Sequence, residues 1–204
     1  MDNINWRFAN KFGSYWIKIK FYKNLPARIA GKCLRNVRFC EATKEAKLNP
    51  IILDRESISC DGALYAFGWE PKVGRDLLGK CNSRRGNSLA KLKSVFSRMP
   101  RFKKPFGHIG LNTEGAPEVM ISYMPPAGIM RLLKIYNDRK GKSLEVSLQT
   151  MVPICGGVAV RSYLKNELSL SLGCDDSRRY AGIGRESMAV GIPKRLFGIF
   201  LDEE

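Results

Sequence analysis

The chain has 204 residues, 44% of them hydrophobic and 26% charged, a globular composition that excludes a disordered polymer or a fibrous repeat. The longest uncharged run, Val146–Val160, is 15 residues and contains Gln149, Pro153, Gly156 and Gly157, so no membrane helix is predicted. A single histidine, His108, excludes His–His metal pairs and imidazole relays, while 35 Lys and Arg against 19 Asp and Glu set a net charge of +16. No basic segment leading into an apolar stretch marks a signal peptide near Met1, which predicts a cytoplasmic protein with six reduced thiols.

In chain order, Trp16–Tyr22 alternates apolar and charged residues and predicts a strand with one wet face. Leu34–Ala46 has helical composition and period, and Ile51–Leu53 predicts a short strand. Ser57–Gly68 reads as a loop entering a short apolar helix around Cys60-Asp61-Gly62-Ala63. Val119–Met124 predicts a strand, and Pro125-Pro126 starts a helix from Ala127 to Asp138 with Ile129, Leu132, Leu133 and Tyr136 on one face. Leu144–Leu148 alternates as a strand, and Val152–Val160 repeats the loop-to-helix entry around Cys155-Gly156-Gly157. Leu168–Leu172 predicts a further strand, followed by a turn at Gly173-Cys174-Asp175-Asp176. A short strand at Met188–Ile192 and a helix from Pro193 to Leu201 close the chain.

This order suggests duplication. A shift of 95 residues places Cys60 on Cys155 and Gly62 on Gly157 and superposes the preceding helices. The predicted fold is therefore α+β, one compact domain over 1–204 in which two related halves, about 13–71 and 105–201, pack around a central seam. A basic connector, 72–104, joins them. Charge is concentrated in the first part: residues 1–104 carry +15 and residues 105–204 carry +1. Lys72 to Lys104 holds 11 basic residues against Asp76 alone, which suits an acidic redox protein such as a ferredoxin, a phosphorylated ligand, nucleic acid, or a merely solvated connector. No aromatic ladder interleaves these charges, which argues against nucleic acid.

Cys60 and Cys155 fall at predicted helix starts beside glycines, where backbone N–H groups face the sulfur. Cys40 lies 20 residues before Cys60 and Cys174 lies 19 after Cys155, so a symmetric seam brings four thiols together. Spacing alone leaves three readings open: a metal site, inert core cysteines, or a catalytic thiol. No Cys-x-x-Cys occurs, and Cys33 and Cys81, in basic surroundings, read as bystanders. Asp175 and Asp176 read as turn residues. Arg178 and Arg179, with Arg185, suit an anionic ligand near Cys174 or plain surface salt bridges. His108 decorates the end of the connector.

Several segments together resemble one family. They are Arg38-Phe39-Cys40-Glu41-Ala42, Cys60-Asp61-Gly62-Ala63 with Ala66-Phe67-Gly68, Ile154-Cys155-Gly156-Gly157, Leu172-Gly173-Cys174-Asp175-Asp176-Ser177-Arg178, and Glu186 to Pro193. Over about Gly13 to Leu201 the chain resembles the domain-of-unknown-function 169 family of archaea and anaerobic bacteria. The resemblance fills four family cysteine positions with Cys40, Cys60, Cys155 and Cys174. It departs at Glu41 for Gln, Asp61 for Pro, and Asp176-Ser177 for Gly-Asp. It implies a four-cysteine site without naming a reaction. On that footing the expected function is 4Fe–4S cluster binding by the four thiolates, with a redox or electron-transfer role. Gly62, Gly156 and Gly157, with Arg178 and Arg179, form the expected surround. The alternatives are a zinc-bound or metal-free module for an anionic ligand or nucleic acid, and a cysteine-thiol enzyme.

Overall fold

A computed structural model describes residues 4–71, 79 and 89–201. Most of the basic connector 72–104, including Cys81, therefore lies outside the described residues. The described chain forms eight α-helices and one seven-stranded mixed sheet. The helices are α1 Ile4–Phe12, α2 Phe39–Glu45, α3 Asp61–Ala66, α4 Leu89–Ser97, α5 Pro126–Lys140, α6 Arg161–Lys165, α7 Asp175–Tyr180 and α8 Phe197–Leu201. The strands are β1 Trp16–Tyr22, β2 Lys32–Cys33, β3 Ile51–Leu53, β4 His108–Leu111, β5 Val119–Met124, β6 Ser169–Ser171 and β7 Met188–Pro193. They lie in the order β2-β3-β4-β1-β5-β7-β6, antiparallel throughout except for the β2–β3 pair. No helix among the described residues is long and apolar enough to cross a membrane.

Period-two alternation assigns the faces of the sheet. Ile17, Ile19 and Phe21 of β1 and Val119 and Ile121 of β5 join a hydrophobic cluster with α2, α3, α4 and the segment around Cys155. Trp16, Met120, Met124, Val190 and Ile192 point the other way, into a second cluster with α1, α5 and α8. Phe8 and Phe12 of α1 cover Trp16 with ring centroids 4.8 and 6.0 Å away. Beyond that cover the face of β1 is open, and Lys18 and Lys20 are only half-buried. Helix α5 starts with a proline in its first turn and stops at Gly141, whose φ of 64° is the left-handed cap that favours glycine.

Several expectations change: the helix predicted over Leu34–Ala46 is confined to Phe39–Glu45, and Asp175 and Asp176, read as turn residues, open α7. Leu144–Leu148 is not a strand: it runs alongside the second cluster, Leu144 and Val146 against it and Glu145 and Ser147 outward. Alternation there records an extended chain with one side on a greasy surface, without a pairing partner. The 95-residue shift also fails, because Cys60 caps α3 whereas Cys155 opens a π-helical turn, Cys155–Val160, that runs into α6. The α+β class stands; the duplicate in that register does not.

Candidate functional site

Four cysteines from four elements line one cavity of about 130 Å³ on the α2–α3 side of the sheet. Cys40 is in the first turn of α2, Cys60 and Cys174 are the N-caps of α3 and α7, and Cys155 begins the π turn. Phe39, Ala63, Met151, Val152, Pro153 and Ile154 supply apolar wall, and Arg38, Thr150, Asp175 and Asp176 supply polar groups.

Each sulfur is met by main-chain N–H groups at its own helix start. Gly62 and Ala63 offer theirs to Cys60, Gly156 to Cys155, and Ser177 donates to the Cys174 Sγ at 3.4 Å. Burial acts in the opposite sense and wins at Cys40, Cys60 and Cys155. It pushes the Cys40 thiol up to about 12, with the neighbouring sulfurs of Cys174 and Cys60 adding to the rise. Burial likewise raises Cys60 and, more strongly, Cys155. These thiols are neutral at physiological pH.

The local sequence explains how the walls are held. The Glu41 carboxylate accepts the Arg38 N–H at 3.3 Å and caps α2, a task open to Glu or Gln alike. Asp61 stands in the first turn of α3, where an acid suits the helix dipole. The Arg38 guanidinium lies 3.9 Å over the Tyr180 ring and 3.8 Å from Asp176, joining α2 to α7. Behind the cavity, the Tyr123 hydroxyl pairs with Thr43 at 2.8 Å, and Thr43 donates to the Cys40 carbonyl at 2.6 Å. Thr43 follows Cys40 by three residues, the spacing of one helix face, but a threonine in a short helix gives no further signal of the site.

Val152 is the strained point. Its φ is +52°, an outlier for a β-branched residue. Its carbonyl accepts the N–H groups of Gly156 and Gly157, both at 3.0 Å, which sets up the π turn. Strain of this kind and π turns both gather at functional sites.

Not every expected residue reaches the cavity. Gly62 lines it, whereas a Cβ on Gly156 would meet Val152 and the Pro100 carbonyl, and one on Gly157 would meet Gln149. Those two glycines permit close packing. Arg178 spends its guanidinium on the carbonyls of Leu172 and Gly184, at 2.7 and 2.8 Å, tying the turn after β6. Arg179 is exposed beside the Tyr180 ring. Cys33 is exposed on β2, away from the four.

The cluster expectation is overturned. Among the described residues no group of three or more His, Cys, Asp or Glu side chains could hold a metal ion. The four sulfurs line the walls of a cavity, and no such group closes on one metal centre among the described residues. The 4Fe–4S assignment, its zinc alternative and the electron-transfer role fall together.

Residues 14–202 match the family described as uncharacterised ArCR, domain of unknown function 169. The chain belongs to this family. It is also 25% identical to the uncharacterised protein MJ0308 of Methanocaldococcus jannaschii over 167 residues, covering 76% of this chain and 71% of that protein. No solved structure matches the chain.

Proposed function

We propose that the chain is a metal-free binding module that takes a small, mainly apolar molecule into the thiol-lined cavity. The observation that carries this reading is a cavity of about 130 Å³ walled by neutral thiols and apolar side chains. Its size approaches that of engineered apolar cavities of about 150 Å³ that hold benzene. Arg38, Thr150 and Asp176 would orient any polar group the ligand carries. The family cysteines Cys40, Cys60, Cys155 and Cys174 are then ligand-facing walls, and the reading places the chain in a reducing compartment, the cytoplasm, as one domain.

Fluorobenzene observed by ¹⁹F NMR tests the reading. Saturable binding is expected, with protection against thermal unfolding worth about 2.7 kcal/mol when the ligand stands at a hundred times its Kd. Cys60→Ala should enlarge the site and shift preference toward indole, and Ala63→Phe should fill it and abolish the signal. Absence of saturable binding in the wild type, or binding indifferent to both substitutions, would remove the proposal.

We also read the chain as a duplication with other bounds and another register than the 95-residue shift, the first unit running from β1 through β4 and the second from β5 through β7. The strand order supports pairing β1 with β5, β4 with β7 and β3 with β6. Cys60 then corresponds to Cys174, both N-caps followed by Asp, and Cys40 to Cys155. Internal similarity at shifts of 114 and 115 residues across aligned family members is the check.

A further inference from the structure

We propose that the outward side of α4 and the segment that follows it bind the phosphate backbone of double-stranded nucleic acid. From Asp76 to Glu114 the sequence contains no acidic residue between those two. Within 89–104, Lys91, Lys93, Arg98, Arg101, Lys103 and Lys104 are the charged residues, and the ion pairs found among the described residues involve none of Lys93, Arg98, Lys103 and Lys104. This is a mounted surface. Leu92, Phe96, Met99 and Phe102 are buried in its underside. The Tyr65 hydroxyl donates to the Phe96 carbonyl at 3.0 Å, and the Phe102 N–H donates to the Ala66 carbonyl at 2.9 Å. Arg101 is committed to the mount, lying 4.6 Å over the Tyr65 ring and donating to the Pro71 carbonyl. Lys93, Arg98, Lys103 and Lys104 are exposed.

The composition of this surface selects the partner. Protein interfaces concentrate aromatic and apolar anchors and are poor in lysine. Among the described side chains of α4, Val95 is the one large apolar group exposed. Single-stranded nucleic acid is gripped by base stacking on exposed aromatics, and 89–104 exposes none. What is left is charge at fixed positions, which suits duplex phosphates bound without regard to sequence.

Fluorescence anisotropy of the full chain with a labelled DNA duplex, between about 50 and about 200 mM salt, is the test. About four phosphate contacts predict a fall in affinity on the order of a hundredfold over that range. Each of Lys93→Gln, Arg98→Gln, Lys103→Gln and Lys104→Gln should reduce the salt slope by about one. Lys140→Gln, on α5 across the sheet, should leave it unchanged. A duplex of scrambled sequence should bind equally. A flat salt response, an unaltered slope in the fourfold variant, or tighter binding of polyglutamate or of the single strand would overturn the proposal.

Discussion

Sulfur is a poor helix cap, since the preferred N-cap side chains offer oxygen to the free N–H groups. Yet Cys60 and Cys174 occupy the N-cap positions of α3 and α7. Serine at either position would suit the helix better, so the choice of sulfur is best understood through the cavity that both residues face. Cys40 carries a measurable consequence. Its thiol ionises at about 12 in the folded chain against an ordinary 9.0. Between those values the unfolded chain binds fewer protons than the folded one, so the stability from this thiol is whole below about 9 and drains away as pH rises toward 12. The loss approaches about 1.4 kcal/mol per pH unit in the steep part of that window. Urea unfolding at about pH 8 and about pH 10 should show a smaller decline for Cys40→Ala than for the wild type. Parallel declines would mean that the buried thiol does not titrate late.

At the scale of elements, the π turn and α6 lie directly on β7, and Gly191 is the point of contact. A Cβ there would come within 2.6 Å of Ser162 Oγ, 2.8 Å of Val158 Cγ1 and 3.0 Å of the Val158 carbonyl. Gly191→Ala should therefore cost about 1–3 kcal/mol in denaturant unfolding, as overpacked cores do. It should also disturb Cys155 at the other end of the turn. An unchanged midpoint would show that the helix shifts freely. Elements with a strong period were legible from sequence: β1, β5, β7 and α5 lie where alternation or helical spacing put them. Weakly patterned ones were not. His108-Ile109-Gly110-Leu111 is short and carries a glycine, yet it is the strand that joins β3 to β1, and Gly110 is needed because a Cβ there would run into Tyr22 and Thr113. The convergence of four cysteines was readable through the family motifs. Their chemistry was not, because spacing says nothing about whether sulfurs close on a point or line a wall. Val152 and the Tyr123–Thr43 pair had no sequence signal, since strain and a buried hydroxyl contact exist only once the chain is folded.

The whole molecule carries +16, and the ion pairs Arg35–Asp54, Arg35–Glu56, Arg38–Asp176 and Arg55–Glu70 all lie on partly or wholly exposed side chains. Self-repulsion of like charge at the surface outweighs the small gain from such pairs. Added sodium chloride should then raise the thermal midpoint from low ionic strength, with most of the gain complete once the screening length is about 10 Å. A midpoint that falls with salt would reverse the balance and make the ion pairs the larger effect.

The sheet order has a further consequence, one of timing. β1 ends at Tyr22, but both strands that flank it begin at or after His108. At a synthesis rate of about 5–20 residues per second, β1 waits for roughly four to seventeen seconds before either neighbour leaves the ribosome. During that wait Ile17, Ile19 and Phe21 have no sheet to join, and the alternating lysines at 18 and 20 place charge where it disfavours pairing between nascent strands.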